Sequence, residues 1–338
     1  MLLNQVNRLV TKRSLINQFF RHTHSKTSEV LYPLESRRII QISGKDAAVF
    51  LQGLITNDMR HFDEGAQSIY TMFLNNKGRV LYDTLIHKWD AEDSFLIECD
   101  KNITSLLQKH LKMFKLKRRV DIQDMSQVKL WSLLPQTNET FDRNLDLKTG
   151  VKLYKDPRIA DLGYRVLTPS SLKGIEVAER IGENVKVEGN EDGYKYLRYK
   201  LGVSEGAEDL VPATCFPLEV NCDYLHGVSF HKGCYIGQEL TARVHHTGVV
   251  RKRIMPIKFQ EHVNEHLDKD AEISVSNKPK AKVGKLKSYL RDYGLGLVRI
   301  KDAVEANGLC IGNCTGEVMK PSWWPVEAPK EKLNLNKE

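Results

Sequence analysis

The sequence predicts an α+β fold with a small β-barrel appended towards its C-terminal end. Between residues 38 and 134, short apolar strand-like runs alternate with amphipathic helical stripes, the pattern of helices packed on antiparallel sheets. Asn75-Asn76-Lys77-Gly78 separates two of those runs and reads as a strong hairpin turn. From Arg251 onwards the pattern changes to short strands punctuated by glycines, which is the look of a separate barrel.

Taken in order, globular structure is expected to begin near Leu31, with a short β-run from Arg38 to Ile42. Ser43-Gly44-Lys45-Asp46 offers a capping-box pattern before the helical stripe Ala47, Phe50, Leu51, Leu54 and Ile55. Gln67–Leu74 and Arg79–Trp89 form the hairpin strands, and Ser94–Glu98 is a third. Asn102–Met113 reads as a helix, followed by strands at Val120–Ile122 and Val128–Leu134. Residues 135–160 are polar and irregular, and Glu191–Leu201 places Tyr194, Leu197 and Leu201 along one helical face. The barrel strands are expected at Ile254–Phe259, Ala271–Val275, Lys280–Ser288 and Leu295–Ile300. Residues 1–28 stand apart, 29–250 form the α+β region, 251–325 the barrel and 326–338 a disordered tail.

With 338 residues the chain suits two or three packed modules, and 41% hydrophobic with 28% charged residues is ordinary for a globular protein. The net charge of +8 is unevenly spread: residues 1–28 hold Arg8, Lys12, Arg13, Arg21 and Lys26 and no acid. Without them 46 basic side chains face 43 acidic ones, so charge gives no support for nucleic-acid binding. The same segment is apolar on one helical face and reads as a mitochondrial presequence, which points to the matrix. No run is long enough for a membrane-spanning helix, so no membrane insertion is expected. Cys99, Cys215, Cys222, Cys234, Cys310 and Cys314 form no Cys-x-x-Cys pair and no secretory framework, which suits a reducing compartment. Cys310 and Cys314 read as packed thiols, while Cys215 and Cys222 are placed where they could approach Cys234 in space.

There is no phosphate-binding loop, no dinucleotide fingerprint, no zinc-peptidase motif and no serine-hydrolase elbow. His245-His246, read as part of a strand, would point to opposite faces. Lys112, Lys115, Lys117, Arg118 and Arg119 cluster at a helix end, where cations favour the C-terminal dipole. Asp83 places a carboxylate on an otherwise apolar strand, so it is either ligand-facing or in a structural salt bridge, with Arg79 as a candidate partner. Trp323-Trp324 are expected to pack on the barrel.

The most informative run is His231-Lys232-Gly233-Cys234-Tyr235-Ile236-Gly237-Gln238-Glu239, continuing to Thr241-Ala242-Arg243. Gly233 and Gly237 are read as permitting a tight turn that exposes the thiol, with Lys232 favouring the thiolate by its charge. Lys-Gly-Cys-Tyr-x-Gly-Gln-Glu-x-x-Ala-Arg resembles the signature of the YgfZ proteins, the iron–sulfur assembly branch of the glycine-cleavage T-protein superfamily. Matching stretches run through the chain: Gly44-Lys-Asp-Ala47, Phe50-Leu-Gln-Gly-Leu-Ile-Thr-Asn-Asp58, Asn75-Asn-Lys-Gly-Arg79 and Leu162-Gly-Tyr-Arg165. They continue with Arg198, Gly202-Val-Ser-Glu-Gly206, Pro217-Leu-Glu219 and Arg251-Lys-Arg253.

This resemblance implies two α+β modules interleaved in sequence around a central channel, with the barrel behind them. With the presequence, it implies a mitochondrial assembly factor that assists maturation of [4Fe-4S] client proteins. Cys234 would then ligate an iron–sulfur cluster shared with an A-type scaffold protein. In the T-protein the channel holds tetrahydrofolate, so a folate-dependent aminomethyltransferase-like enzyme is the alternative, with Asp83 and Arg243 lining the pocket. Against that alternative, the T-protein carries an Asp-Asp pair where this chain reads Tyr82-Asp83, and it lacks the Lys-Gly-Cys run. A weaker reading makes Cys234 a nucleophile with His231 as its base.

Overall fold

The computed structural model describes residues 29–90, 93–135, 150–248 and 250–325. The presequence, most of the polar segment before residue 150 and the C-terminal tail lie outside them.

Sequence order and spatial order part company at the first turn. Strand β1 (Glu29–Pro33) belongs to one sheet, and the chain then leaves to build another. That second sheet comprises β2 (Arg37–Ser43), β3 (Ser68–Leu74), β4 (Val80–Lys88), β5 (Ser94–Asp100) and β6 (Asp121–Asp124), ordered β3-β4-β5-β2-β6. Helix α1 (Ala47–Gln52) follows β2, and α2 (Thr104–Lys115) follows β5 after a short 3-10 turn. Only then does β7 (Val128–Pro135) return to pair antiparallel with β1, Leu31 opposite Leu133. The first sheet is completed by β8 (Lys152–Lys155), β9 (Tyr164–Pro169), helix α3 (Gly174–Ile181) and β10 (Val185–Val187), ordered β10-β1-β7-β9-β8. The two α+β modules are thus interleaved, as expected.

Helices α4 (Asp192–Leu201), α5 (Gly206–Asp209) and α6 (Gln238–Thr247) connect this pair of modules to the barrel. The barrel is formed by β11 (Lys252–Phe259), β12 (Glu272–Val275), β13 (Lys278–Leu290) and β14 (Tyr293–Arg299), with α7 (Ile300–Val304) after them. Two strands that the sequence pattern did not mark, β15 (Leu309–Ile311) and β16 (Cys314–Val318), complete it. Pairing of Ile257 with Val318 closes the ring and removes its free edges. Trp324 is buried against this barrel, and Trp323 donates its indole N–H to the Leu201 carbonyl (2.8 Å).

One apolar core runs between the sheets into the barrel wall, joining Tyr70 and Leu96 to Leu130 and Leu167 and on to Ile254 and Leu295. The outer face of the second sheet is covered by α1 and α2 through Phe50, Leu51, Leu107 and Leu111. The outer face of the first is covered by α3 through Val177 and Ile181. No helix among the described residues is long and apolar enough to cross a membrane.

Two local expectations are corrected. Helix α1 has no side-chain cap at its start, because the Asp46 carboxylate accepts instead from the Arg119 amide (2.8 Å). Residues 164–187, for which the sequence pattern marks no elements, form β9, α3 and β10.

Candidate functional site

The signature run is a loop leading into α6, and its shape is set by contacts with two distant segments. The first is the hairpin tip between β3 and β4. Asn75 builds that tip: its side-chain oxygen accepts from the Lys77 and Arg79 amides (2.9 and 3.0 Å). Gly78 follows at φ +74°, and Gly237 sits over it at φ +78°. A Cβ on Gly78 would stand 3.0 Å from the Gly237 carbonyl oxygen, and one on Gly237 would collide with the Asn75 carbonyl. Both positions therefore need glycine for conformation and for close approach. Gly233 does not: its φ is ordinary and open space surrounds it, which corrects the expectation that it enables the turn.

The second segment is the end of α1. The Lys232 ammonium donates to the carbonyl oxygens of Gln52 (2.8 Å), Ile55 (2.7 Å) and Asn57 (2.5 Å). A helix C-terminus leaves carbonyls without intrahelical partners, and a cation there meets the negative end of the dipole. Thr56 donates its hydroxyl to the Gly227 carbonyl (2.6 Å), and Asn57 donates its amide to the carbonyls of His226 and Tyr70 (both 2.8 Å). Ser229 and Ile236 donate backbone N–H groups to Thr56 and Gly53. Residues 50–58 thus form a cradle for residues 226–236.

Burial draws the Lys232 ammonium down to about 8, opposed by Asp58. The three carbonyl acceptors satisfy all three of its protons and favour the charged form. Lys232 lies 4.9 Å from the centroid of the Tyr235 ring, and Gln238 accepts from the Tyr235 amide (3.1 Å). The charge expected to act on the thiol is instead directed inward, to the carbonyl cage.

What remains outward is the thiol. Cys234 is exposed, whereas Cys99, Cys215 and Cys222 are buried and Cys310 and Cys314 lie half-buried on the barrel. Among the described residues no group of three or more His, Cys, Asp or Glu is arranged to hold a metal ion. His245 and His246 lie on helix α6 rather than a strand, and His245 stacks on Phe230 at 3.5 Å and 9°. His231 and Glu239 are exposed.

Asp83 lies elsewhere. It is buried on β4, accepts from the Gly206 amide (3.0 Å) and faces Arg37 at 3.5 Å, so the partner expected at Arg79 is Arg37 instead. Arg79 turns outward over the Phe216 ring and donates to the Thr214 carbonyl. Of the two residues expected to line the channel, Asp83 is buried on β4 and Arg243 is exposed on α6. Around Asp83 the centre of the molecule holds a buried ionic network. Arg165 of β9 contacts Glu98 of β5 (3.2 Å) and Glu205 (2.7 Å). Arg158 contacts Asp156 (2.7 Å) and Glu205 (2.8 Å), and Arg198 of α4 contacts Asp209 (2.8 Å). The Ser288 hydroxyl of β13 donates to Asp209 (2.7 Å), tying the barrel to both sheets.

The comparisons with known proteins accord with this architecture. The GCVT N-terminal domain matches residues 20–134, and the CAF17 C-terminal beta-barrel domain matches residues 251–326. The fold is similar to that of the glycine cleavage system aminomethyltransferase T from Bartonella henselae, with TM-score 0.67, 14% identity, and 88% of this chain and 87% of that one covered. The mouse mitochondrial iron–sulfur cluster assembly factor IBA57 is 35% identical over 88% of this chain and 86% of its own length. The human protein of that name is 33% identical over 87% and 85%. The chain belongs to the IBA57 family.

The mouse and human members of that family are named mitochondrial iron–sulfur cluster assembly factors. In this IBA57-family chain the cradle residues Gln52, Ile55, Thr56 and Asn57 carry the site as much as the signature does. Their part is invisible from spacing, since the carbonyls that hold Lys232 lie 175 to 180 residues away in sequence. The run Phe50–Asp58 was a signal for them only as a resemblance. Glu98, Arg165 and Glu205 were likewise not foreseen as a network, although Arg165 and Glu205 fall inside matched stretches.

Proposed function

We propose that Cys234 is a terminal ligand to an iron–sulfur cluster shared with an A-type scaffold protein, and that the protein assists maturation of [4Fe-4S] clients through this shared cluster. The observation that carries the reading is the contrast between a fixed loop and a free thiol. Lys232 and Gly237 lock the loop on either side of Cys234, while Cys234 itself is exposed and, among the described residues, belongs to no group of three or more metal-ligating side chains. Thiolate suits iron, and one sulfur needs ligands from elsewhere to complete a site. The bare Gly233 beside it leaves room for a partner's backbone to approach closely. The test is anaerobic mixing with an A-type scaffold carrying a cluster, read by complex size and visible absorption. A coloured complex with the wild type and none with Cys234→Ala is expected; an equal complex with Cys234→Ala overturns the ligand assignment.

A second reading is favoured by orphaned polar atoms at the centre. The Tyr70 and Ser204 hydroxyls are buried without hydrogen-bond partners, where such groups ordinarily have one, and Asp83 Oδ2 meets only the Arg37 guanidinium at 3.5 Å. Groups of this chemistry would pair with the polar edge of a reduced folate, which would carry a one-carbon unit when bound. Asp83 and Tyr70 would orient it. Titration calorimetry with tetrahydrofolate checks this: heat that disappears in Asp83→Asn supports it, and no heat overturns it.

A further inference from the structure

We propose that the outer face of α2 and the turn after it dock this protein on an anionic membrane surface. From Lys101 to Val120 the sequence holds Lys101, Lys109, Lys112, Lys115, Lys117, Arg118 and Arg119 and not one acid. Helix-end stabilisation does not require seven cations, and Lys101 and Lys109 lie far from that end. Among the described residues only Arg119 of the seven makes a salt bridge, with Asp46 at 3.6 Å.

Among these cations stands an apolar ridge that the fold does not cover. Leu107 and Leu111 point inward to the sheet, while Leu106 is 49% exposed, Met113 63% and Leu116 84%. Leu106 and Met113 are seven apart and share one stripe of the helix, with Leu116 three further on. On the neighbouring α1, Val49 is 62% exposed. Leu116 adds a second observation: its backbone, at φ 46° and ψ −123°, is in a region that glycine adopts freely and a branched side chain does not. A leucine here serves neither the backbone nor the core.

Protruding leucine and methionine side chains among lysines are what an interfacial helix presents: apolar groups enter the headgroup boundary while lysine stems reach out to the phosphates. The ridge stands out from the surface, which suits a deformable lipid layer better than a folded acidic protein. Attraction of about fivefold per cation is expected near an anionic surface.

The test is vesicle flotation of the full chain at low salt. Phosphatidylcholine vesicles containing phosphatidylglycerol should float the wild type, and phosphatidylcholine alone should not. Lys109→Gln, Lys112→Gln, Lys117→Gln and Arg118→Gln combined should lower partitioning by more than about a hundredfold. Leu116→Gly with Met113→Ser should also lose flotation while heat stability holds, because glycine suits that backbone. A wild type that ignores anionic vesicles overturns the proposal. So does undiminished flotation of either variant, which would place the binding in residues 1–28 or elsewhere.

Discussion

Gly78 and Gly237 lie backbone to backbone, the tip of one hairpin seated against the start of helix α6. Each has positive φ, and neither has room for a methyl group directed at the other. The turn that the sequence marks most clearly and the motif that it marks most strongly are therefore one site. The hairpin is a rest on which the thiol-bearing loop lies.

Gly237→Ala should destabilise the protein by about 1–3 kcal/mol, through strained backbone and collision with Asn75. Gly233→Ala should leave the melting temperature unchanged, since nothing lies near its Cβ position. Thermal denaturation of the two variants tests the distinction. Equal loss in both would mean that the loop is held in some other way. If Gly233→Ala nonetheless weakens the cluster complex, the open space beside Cys234 belongs to the partner.

Lys232→Met should release the loop without unfolding the molecule. Three carbonyl oxygens lose their donor, at a cost of about 1–3 kcal/mol. Amide exchange at residues 229–236 should rise first, because those residues hang from this clamp. Exchange that rises uniformly across both sheets would show the lysine to be a general stabiliser instead.

How much of this was legible follows from the range of each interaction. The hairpin at Asn75–Gly78 and the glycine-rich barrel strands rest on local preferences, and local sequence revealed them. Asp83 was legible as an anomaly, but its partner was not: Arg79 is near in sequence, whereas Arg37 comes from β2 across the sheet. Helix α6 was missed because Gly237 before it and paired histidines within it blur the periodicity, and its start is fixed by packing on Gly78. The presequence and the tail lie outside the described residues.

The central network predicts how the protein responds to acid. Burial opposes ionisation of Glu98 and Glu205, but Arg165 with Arg37 on the first, and Arg165 with Arg158 on the second, outweigh it and hold both well below the usual carboxylate range. Carboxylates with lowered folded-state values contribute stability that is complete above their unfolded value, about 4.3, and lost as pH falls below it. Asp83 runs the other way: burial raises it despite Arg37, so protonation relieves it. The melting temperature should therefore drop steeply below about pH 4.5. Asp83→Asn removes the opposing contribution and should steepen that drop. A flat profile down to about pH 3 would show that the arginines do not hold these glutamates ionised.

Thiol reactivity offers the most direct check on which cysteine faces outward. Burial pushes the Cys99 and Cys215 thiols up to about 12 and the Cys222 thiol higher still, so all three lack both access and thiolate. Cys314 is pushed up to about 11 by burial and by Glu265, whose carboxylate accepts from its S–H at 3.2 Å. Cys310 is half-buried and donates to the Ser276 hydroxyl at 3.4 Å. Cys234 alone is exposed. Brief alkylation of the native protein at neutral pH, followed by peptide mass spectrometry, should label Cys234 first by a wide margin. Prior binding of a cluster-loaded scaffold should protect it, because a sulfur bonded to iron is no longer a free nucleophile. Adding Lys232→Met should change the rate at Cys234 and leave Cys310 and Cys314 as they were. Should Cys310 or Cys314 label first, or should the scaffold protect nothing, Cys234 is an exposed thiol without a ligand's role.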